Sequence, residues 1–286
     1  MKKILEFIKR TKFGQWFKKI KFFNLLKQSQ GDWRYPFMVI AWQLSRFIVP
    51  RKKINIENVS FTLPCTNWIT HFRWYLFKNK EEEVRHYINN YVREGDKFFD
   101  VGANIGVFSI YTARRYDNIS CYCFEPEYSN LNILKENIVA NNITNKVNIY
   151  SVAVGNFVGL SRLNLQDFTS GSAAHTESKE PIGMTHEGYP VVWSEGIVSV
   201  SLDYICEQLD VFPNALKIDT DGNEDKVLEG AAKTLCDKRL RSLVIEMPDE
   251  NEKGKYCCEI LNRANFYLDW SDKKKTRNQI WVKREA

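Results

Sequence analysis

One stretch, residues 98–110 (FFDVGANIGVFSI), constrains the fold of this chain more than any other. Its residue order predicts a buried strand, a tight turn with two glycines, and the first turn of a helix. A strand that enters a helix through glycines leaves free backbone N–H groups pointing outward, and such a corner binds anions or nucleotides. We therefore expect an α/β sheet with a ligand at the carboxyl end of this strand.

The glycine spacing decides which nucleotide suits the corner. The dinucleotide fingerprint needs glycines at its third and sixth positions, where this chain has Asn104 and Val107. Walker A needs a Lys-Ser/Thr pair, and Val107-Phe108 stands there instead. The remaining form, acid-x-Gly-x-x-x-Gly, suits S-adenosylmethionine (SAM), with Asp100 near its cationic end and Gly102 allowing close backbone approach. A structural helix-packing turn is the alternative interpretation.

A second acidic residue ends the next predicted strand. Residues 120–124 alternate as a strand and are followed by Glu125 and Pro126, at the interval expected of a strand–helix–strand unit. A carboxylate at that position can accept both hydroxyls of a ribose, and a solvated carboxylate is the alternative. A third strand is predicted over residues 147–154, and its small, apolar exit at Ala153 suits an adenine ring.

Two further carboxylates and two histidines are predicted to lie near this corner. Asp219 and Asp221 follow another buried strand, and the carboxyl ends of parallel strands meet at one edge of an open sheet. His175 and His186 lie in an irregular stretch, residues 166–196. Loops this long in a compact domain are usually functional or disordered, so we predict a substrate loop. Ordinary surface positions are the alternative for both histidines.

The order of elements predicts an α/β doubly wound sheet with one antiparallel strand, because strands alternate with helices until a terminal hairpin closes the chain. At 286 residues the chain can form one large domain, or one domain with an appendage. We predict a basic amphipathic segment at residues 1–30, an N-terminal cap at 31–79 and the catalytic domain at 80–286.

The positive charge of the chain is concentrated at its N-terminus. Residues 1–28 carry nine Lys or Arg and one Glu, a net charge of +8, whereas the remainder has a net charge of −2. Aromatic residues at helical spacing among these lysines are typical of an amphipathic helix on an anionic membrane surface. A helix docked on its own domain or on a second subunit, as in a homo-oligomer, is the alternative.

Cysteine usage and hydropathy predict a cytoplasmic protein, with the inner membrane surface as a candidate partner. The seven cysteines are odd in number and show no zinc-like spacing, which favours reduced thiols. The apolar run at residues 37–49 contains Gln43, Ser45 and Arg46. It is shorter than the roughly 20 apolar residues that span a bilayer.

Taken together, these motifs resemble the FkbM family of SAM-dependent methyltransferases over about residues 80–282. The resemblance is carried by the following segments: Asp100–Gly106, Phe124–Pro126 with Asn130, Val152–Gly155, and Leu216–Glu224 with Val227–Gly230. The acidic block is the most particular to the family, and Asp221 stands where the family most often has Glu. The resemblance implies a Rossmann-like class I methyltransferase fold with a seven-stranded, mostly parallel sheet. It also implies O-methylation, often of sugars in surface polysaccharides or of secondary metabolites.

The candidate site residues fall into two groups. The predicted cofactor-binding residues are Asp100, Gly102, Ala103, Asn104, Gly106, Glu125, Pro126 and Ala153. An alcohol must lose a proton when it is methylated, and a positioned base contributes about 10²–10⁴-fold. The candidates for that base are Asp219, Asp221, His175 and His186. A divalent cation held by the two aspartates is an open alternative. Two carboxylates without a histidine provide few ligands for a metal, so we assign no metal site.

The predicted reaction is methyl transfer from SAM to a hydroxyl of a sugar in a cell-surface glycan or glycolipid. A small-molecule secondary metabolite as acceptor, or a non-catalytic SAM- or partner-binding module, are the alternatives. A nucleic-acid substrate is not expected. The Asn/Asp-Pro-Pro-aromatic block that serves flipped bases is replaced here by the sequence Asp219-Thr220-Asp221-Gly222.

Overall fold

The structure is a computed structural model that describes residues 51–79, 81–248, 252–272 and 276–284. The predicted basic segment and the first part of the predicted cap, residues 1–50, lie outside these residues, so the membrane interpretation stays a prediction. In the described part of the chain, no helix has the length and apolar character needed to cross a bilayer. One compact unit begins at Arg51.

The described elements alternate along the chain. The strands are β1 (Arg51–Ile56), β2 (Val59–Pro64), β3 (Lys97–Val101), β4 (Ser120–Phe124), β5 (Val147–Tyr150), β6 (Ala153–Gly155), β7 (Gly159–Leu165), β8 (Thr176–Ser178), β9 (Trp193–Ser201), β10 (Ala215–Ile218), β11 (Ser242–Glu246), β12 (Phe266–Ser271) and β13 (Asn278–Lys283). The helices are α1 (Trp68–Asn79), α2 (Glu82–Tyr91), α3 (Val107–Arg115), α4 (Tyr128–Ala140), α5 (Leu202–Leu209), α6 (Glu224–Glu229), α7 (Ala232–Cys236) and α8 (Glu252–Arg263).

The main sheet has seven strands in the order β12-β13-β11-β10-β3-β4-β5. Neighbouring strands from β11 to β5 are parallel, and β13 runs antiparallel to both β11 and β12. All four residues of β10 are buried, as expected of a central strand covered on both faces. The predicted seven-stranded, mostly parallel sheet with a terminal antiparallel hairpin is confirmed.

A second sheet, in the order β6-β9-β7-β8, was not predicted. The single strand expected over residues 147–154 is two strands, β5 in the main sheet and β6 in this small sheet. The stretch predicted as irregular, residues 166–196, contains β8 and the start of β9. Most residues of β9 are exposed or half-buried, so its sequence lacks the apolar alternation that marks a strand. Its pairing with β7, from Gly159↔Ser199 to Leu165↔Trp193, makes it a strand.

The N-terminal elements belong to the same compact unit as the main sheet. Phe61 and Leu63 of β2 and Phe77 of α1 are buried in a hydrophobic cluster that they share with helix α3 and with strand β4. The Asn141 side chain, after α4, accepts a hydrogen bond from the Thr62 N–H at 2.8 Å and donates one to the Thr62 carbonyl at 2.7 Å. Residues 51–79, which the sequence assigned to a cap, therefore pack on the core.

The glycine turn after β3 requires the absence of a side chain at Gly102. Its φ is +75°, and a Cβ atom there would lie 1.7 Å from the carbonyl oxygen of Asp219. Gly102 therefore lets the β3 and β10 loops touch, which is a different role from the close approach to a cofactor predicted from the sequence.

We expect Gly102→Ala to lower the free energy of unfolding by at least about 3 kcal/mol. Alanine is strained at a positive φ, and its Cβ atom would clash with the Asp219 carbonyl oxygen. Gly188 is a matched control, with a φ of +80° and no atom within 4 Å of the place where a Cβ atom would lie. Gly188→Ala should cost only about 1–2 kcal/mol, the strain of the left-handed conformation. Urea unfolding of both variants checks this, and equal losses would contradict the contact argument.

Candidate functional site

A cleft opens at the carboxyl edge of the main sheet, where β3, β4 and β10 end, and the small sheet and helix α1 form its other walls. Its lining includes eight of the predicted site residues: Gly102, Asn104, Glu125, Pro126, Ala153, His175, Asp219 and Asp221. The cleft therefore brings residues from distant parts of the sequence to one place, as the strand-end argument predicted.

Glu125 lies buried on the cleft wall, and its carboxylate accepts hydrogen bonds from the backbone N–H groups of Asn104, at 2.7 Å, and Glu127, at 3.1 Å. The Asn130 amide is a third donor at 3.4 Å. Burial raises the pKa of Glu125 to about 7, although these donors act against that shift. Oε1 accepts from both Glu127 and Asn130, whereas Oε2 accepts from Asn104 alone and keeps a second lone pair that a ribose hydroxyl could use.

Asp100 does not line the cleft, so the structure does not support the prediction that it lies beside the cofactor. Its carboxylate is fully buried, accepts a hydrogen bond from the Ser109 hydroxyl at 2.7 Å and lies 3.1 Å from the Lys217 ammonium. Lys217 is its direct partner in the register of β10 and β3. Asp100 therefore neutralises a buried lysine.

The remaining residues of the turn divide between the cleft and the core. Asn104 lies on the cleft with a φ of +51°, and its side-chain amide donates to the Ser172 carbonyl at 2.7 Å. Ala103 is buried and outside the lining, as is Gly106. A Cβ atom on Gly106 would lie 2.0 Å from the Leu134 side chain, which agrees with the helix-packing interpretation of that glycine.

Lys217 also contacts the first catalytic candidate, Asp219. Its ammonium lies 3.4 Å from the Asp219 carboxylate, which is 38% exposed, and 3.2 Å from the Gly102 carbonyl. Burial raises the pKa of Asp219, but Lys217, a hydrogen bond with Glu246 and the charge of Arg73 together outweigh it, so the net pKa is below its usual value. Asp219 is therefore ionised at neutral pH.

Asp221 is the second candidate and has the opposite shift. Burial, together with the negative charge of Asp219, raises its pKa to about 7. Its carboxylate accepts a hydrogen bond from the Ala174 N–H at 2.7 Å, and its φ is +52°. A carboxyl that titrates near neutral pH and faces a cleft is suited to acid–base chemistry.

Glu246, at the end of β11, joins the two aspartates and was not among the residues predicted from the sequence. Oxygen atoms of Asp219, Asp221 and Glu246 lie within 4.8 Å of one another. Burial and the charge of Asp219 raise the pKa of Glu246 to about 8. Three such oxygens could contact a divalent cation, but acidic groups often cluster without one, so we assign no metal. The position of Glu246 at a strand end was the available signal.

The two loop histidines lie in different places. His175 lines the cleft, is 8% exposed, and has no hydrogen-bond partner on either ring nitrogen among the described residues. Burial lowers its pKa to about 4, so it is neutral at pH 7. His186 is exposed and outside this cleft, in a neighbouring cavity, with its Nδ1 3.1 Å from the Gly222 carbonyl. The structure does not bring His186 together with the other candidates.

The loop that carries His175 is attached to the cofactor side of the cleft. The Ser172 carbonyl accepts from the side chains of Asn104 and Asn130, and the Gly171 N–H donates to the side-chain oxygen of Asn130 at 2.7 Å. Arg73 of α1 donates from Nε to the Gly171 carbonyl at 2.9 Å. In the sequence, Arg73 stands among the aromatic and basic residues at positions 68–75, and no spacing rule connects it with Gly171, 98 positions away.

The polar and apolar groups that line the cleft fit the parts of SAM. The buried Glu125 has spare acceptor capacity for ribose hydroxyls, and the apolar side chains of Val152, Ala153 and Val154 suit the face of an adenine ring. The orphaned ring nitrogens of His175 and the carboxylates of Asp219 and Asp221 remain for polar groups beyond the ribose.

Comparisons with known proteins agree with this interpretation. The family described as the methyltransferase FkbM domain matches residues 100–270. The chain is 27% identical over 179 residues to the 31-O-demethyl-FK506 methyltransferase FkbM of Streptomyces tacrolimicus, an alignment that covers 55% of this chain and 67% of that protein.

Solved structures of methyltransferases also match the chain. The crystal structure of methyltransferase FkbM from Methylobacillus flagellatus KT matches with a TM-score of 0.44 and 15% identity, covering 75% of this chain and 52% of that one. The chain thus spans about half the length of that protein. Precorrin-6y C5,15-methyltransferase from Geobacter metallireducens GS-15 matches with a TM-score of 0.42 and 10% identity, covering 72% of this chain and 90% of that one.

Proposed function

This chain belongs to the FkbM methyltransferase family and is therefore a SAM-dependent methyltransferase; from that premise we propose that it methylates a hydroxyl group, in a sugar of a cell-surface glycan or glycolipid. The observation that carries the proposal is the meeting of Glu125, on the cofactor side, with Asp219 and Asp221 in one cleft. A hydroxyl must lose a proton to become a good nucleophile, and this arrangement sets carboxylates beside the cofactor residues.

Each side chain has a distinct part in the proposed reaction. SAM, when bound, supplies an electrophilic methyl group. Glu125 would hold the cofactor by accepting hydrogen bonding from its ribose. Asp221 accepts the proton of the acceptor hydroxyl, since its pKa of about 7 is close to the working pH. Alignment of the two reactants in such a cleft can supply about 7–11 kcal/mol of the barrier.

Asp219 supports the base without exchanging a proton itself. Lys217 helps to keep Asp219 ionised. The negative charge of Asp219 is, in turn, a cause of the raised pKa of Asp221. His175, neutral and without a partner among the described residues, is the second group that could accept a proton or orient the hydroxyl. We therefore propose Asp221 as the base and His175 as an orienting residue.

Two observations support a hydroxyl acceptor, and one of them supports a sugar. The curated relative is named for a reaction at an oxygen of 31-O-demethyl-FK506. Helix α1, which supplies Arg73 to the cleft, also exposes Trp68, at 72%, with Phe72 and Tyr75 along one face. Exposed aromatic rings provide apolar faces with polar edges, on which a sugar ring can stack.

The test is formation of S-adenosylhomocysteine by the purified chain with added acceptors. We expect turnover with glycans that bear free sugar hydroxyls, and mass spectrometry of surface glycans from a deletion strain should show the loss of one CH₂ on the methylated sugar. Turnover only with a small secondary metabolite would show that the acceptor is such a metabolite and not a sugar. Cofactor binding without turnover on any acceptor would favour a non-catalytic module.

A further inference from the structure

Arg73 is the single lysine or arginine among the residues that line the cleft in the described part of the chain. Four carboxylates line the same cleft, those of Glu125, Glu177, Asp219 and Asp221. An anionic group of a ligand would meet repulsion from these carboxylates, and the Arg73 guanidinium is the group that could offset it. The matched family region starts at residue 100, so Arg73 lies outside it.

The guanidinium of Arg73 is oriented by the protein but forms no close ion pair with the described carboxylates. Its Nε donates to the Gly171 carbonyl at 2.9 Å. Among the described residues, no carboxylate oxygen lies within 4 Å of its nitrogens, and its two terminal nitrogens make no hydrogen bond. The planar fork therefore keeps the N–H groups that bind a carboxylate in a bidentate manner.

The strand order indicates which part of SAM reaches Arg73. Along the sheet edge, Ala153 follows β5, Glu125 follows β4, Gly102 follows β3 and Asp219 follows β10. If adenine lies at Ala153 and ribose at Glu125, the methionyl part would lie toward Gly102 and Asp219. Arg73 lines the cleft together with Gly102, Asp219 and Asp221, and its positive charge lowers the pKa of both aspartates.

We propose that Arg73 binds the carboxylate of the methionyl tail of SAM. The assignment rests on the proposed function, because it assumes that SAM binds in this cleft. It explains why a cleft rich in acids holds one unpaired cation among its described residues, and it gives helix α1, which precedes the family region, a direct part in cofactor binding. Helix α1 then contributes a cofactor contact and, through the Gly171 carbonyl, a contact to the substrate loop.

Calorimetry with two ligands tests the assignment. SAM and decarboxylated SAM differ by the carboxylate alone, so their affinities are measured for the wild type and for Arg73→Ala. We expect Arg73→Ala to weaken SAM binding about 10- to 100-fold, the loss of a charge-assisted bidentate contact, and to leave decarboxylated SAM unaffected. The wild type should prefer SAM by a similar factor, and the variant should lose that preference.

Arg114→Ala is a matched control, because Arg114 also donates from Nε to a backbone carbonyl, that of Ser60, at 3.1 Å, but outside the cleft. It should bind both ligands as the wild type does. An equal loss for both ligands in Arg73→Ala would overturn the assignment and indicate that Arg73 merely holds the loop through Gly171. Unchanged SAM affinity would overturn it as well. If the wild type bound neither ligand, the proposed function itself would fail.

Discussion

Asp221→Asn is expected to lower kcat about 10²- to 10⁴-fold, the contribution of a positioned base, while the affinity for SAM stays unchanged. Asparagine keeps the shape of the side chain, and its carbonyl oxygen can still accept the Ala174 N–H, so the loop contact survives. The variant removes the capacity to take a proton and little else. Rates of S-adenosylhomocysteine formation, with calorimetry for SAM, separate the two quantities.

The pH dependence gives the same prediction a second readout. Asp221 acts as a base when it is ionised, so kcat should rise with pH through about 7, where its pKa lies, and fall below that pH. The charge of Asp219 raises this pKa, so Asp219→Asn should move the rising limb to lower pH. Full turnover in Asp221→Asn would assign the base elsewhere, and His175→Gln is then the variant to compare.

Glu125→Ala is expected to weaken SAM binding by about 100-fold, because the charge-assisted hydrogen bonding proposed between its carboxylate and the ribose would be lost. The variant also leaves the N–H groups of Asn104 and Glu127 without their acceptor. A stability loss is therefore expected as well, and affinity must be measured on protein shown to be folded by circular dichroism.

Glu127→Ala is the matched control for that experiment. Glu127 is another buried carboxylate at the same corner, and its side chain caps helix α4 by accepting from the Asn130 N–H at 2.6 Å. It does not line the cleft. Its loss should cost about 1 kcal/mol of stability, as for other helix caps, without a change in SAM affinity. Equal effects of the two variants on SAM binding would contradict the ribose assignment.

Strand ends were the most informative part of the sequence. Glu125 follows β4, Asp219 and Asp221 follow β10, and parallel strands must present such ends at one edge of the sheet. Their convergence therefore follows from local patterns and one topological rule. The predicted main sheet was confirmed for the same reason.

Contacts between distant residues could not be predicted in this way. Asp100 and Lys217 are direct partners across two parallel strands, and nothing in the local pattern of either strand distinguishes a buried ion pair from a carboxylate that faces a ligand. Arg73 reaches the cleft through a helix that precedes the catalytic motifs. The small sheet escaped prediction because β9 is mostly polar and exposed, and its pairing alone makes it a strand.

We expect the segment between β8 and β9, residues 179–192, to tolerate changes of sequence and length better than the strands that flank it. Its ends are fixed by ladder pairs, Arg162↔Ser178 on one side and Leu165↔Trp193 on the other, and most of its residues are exposed. Insertions are tolerated best where the backbone is exposed and its ends are held. Exchange of this segment between relatives would thus change the neighbouring cavity, which His186 and Glu187 line, and leave the described lining of the cleft as it is.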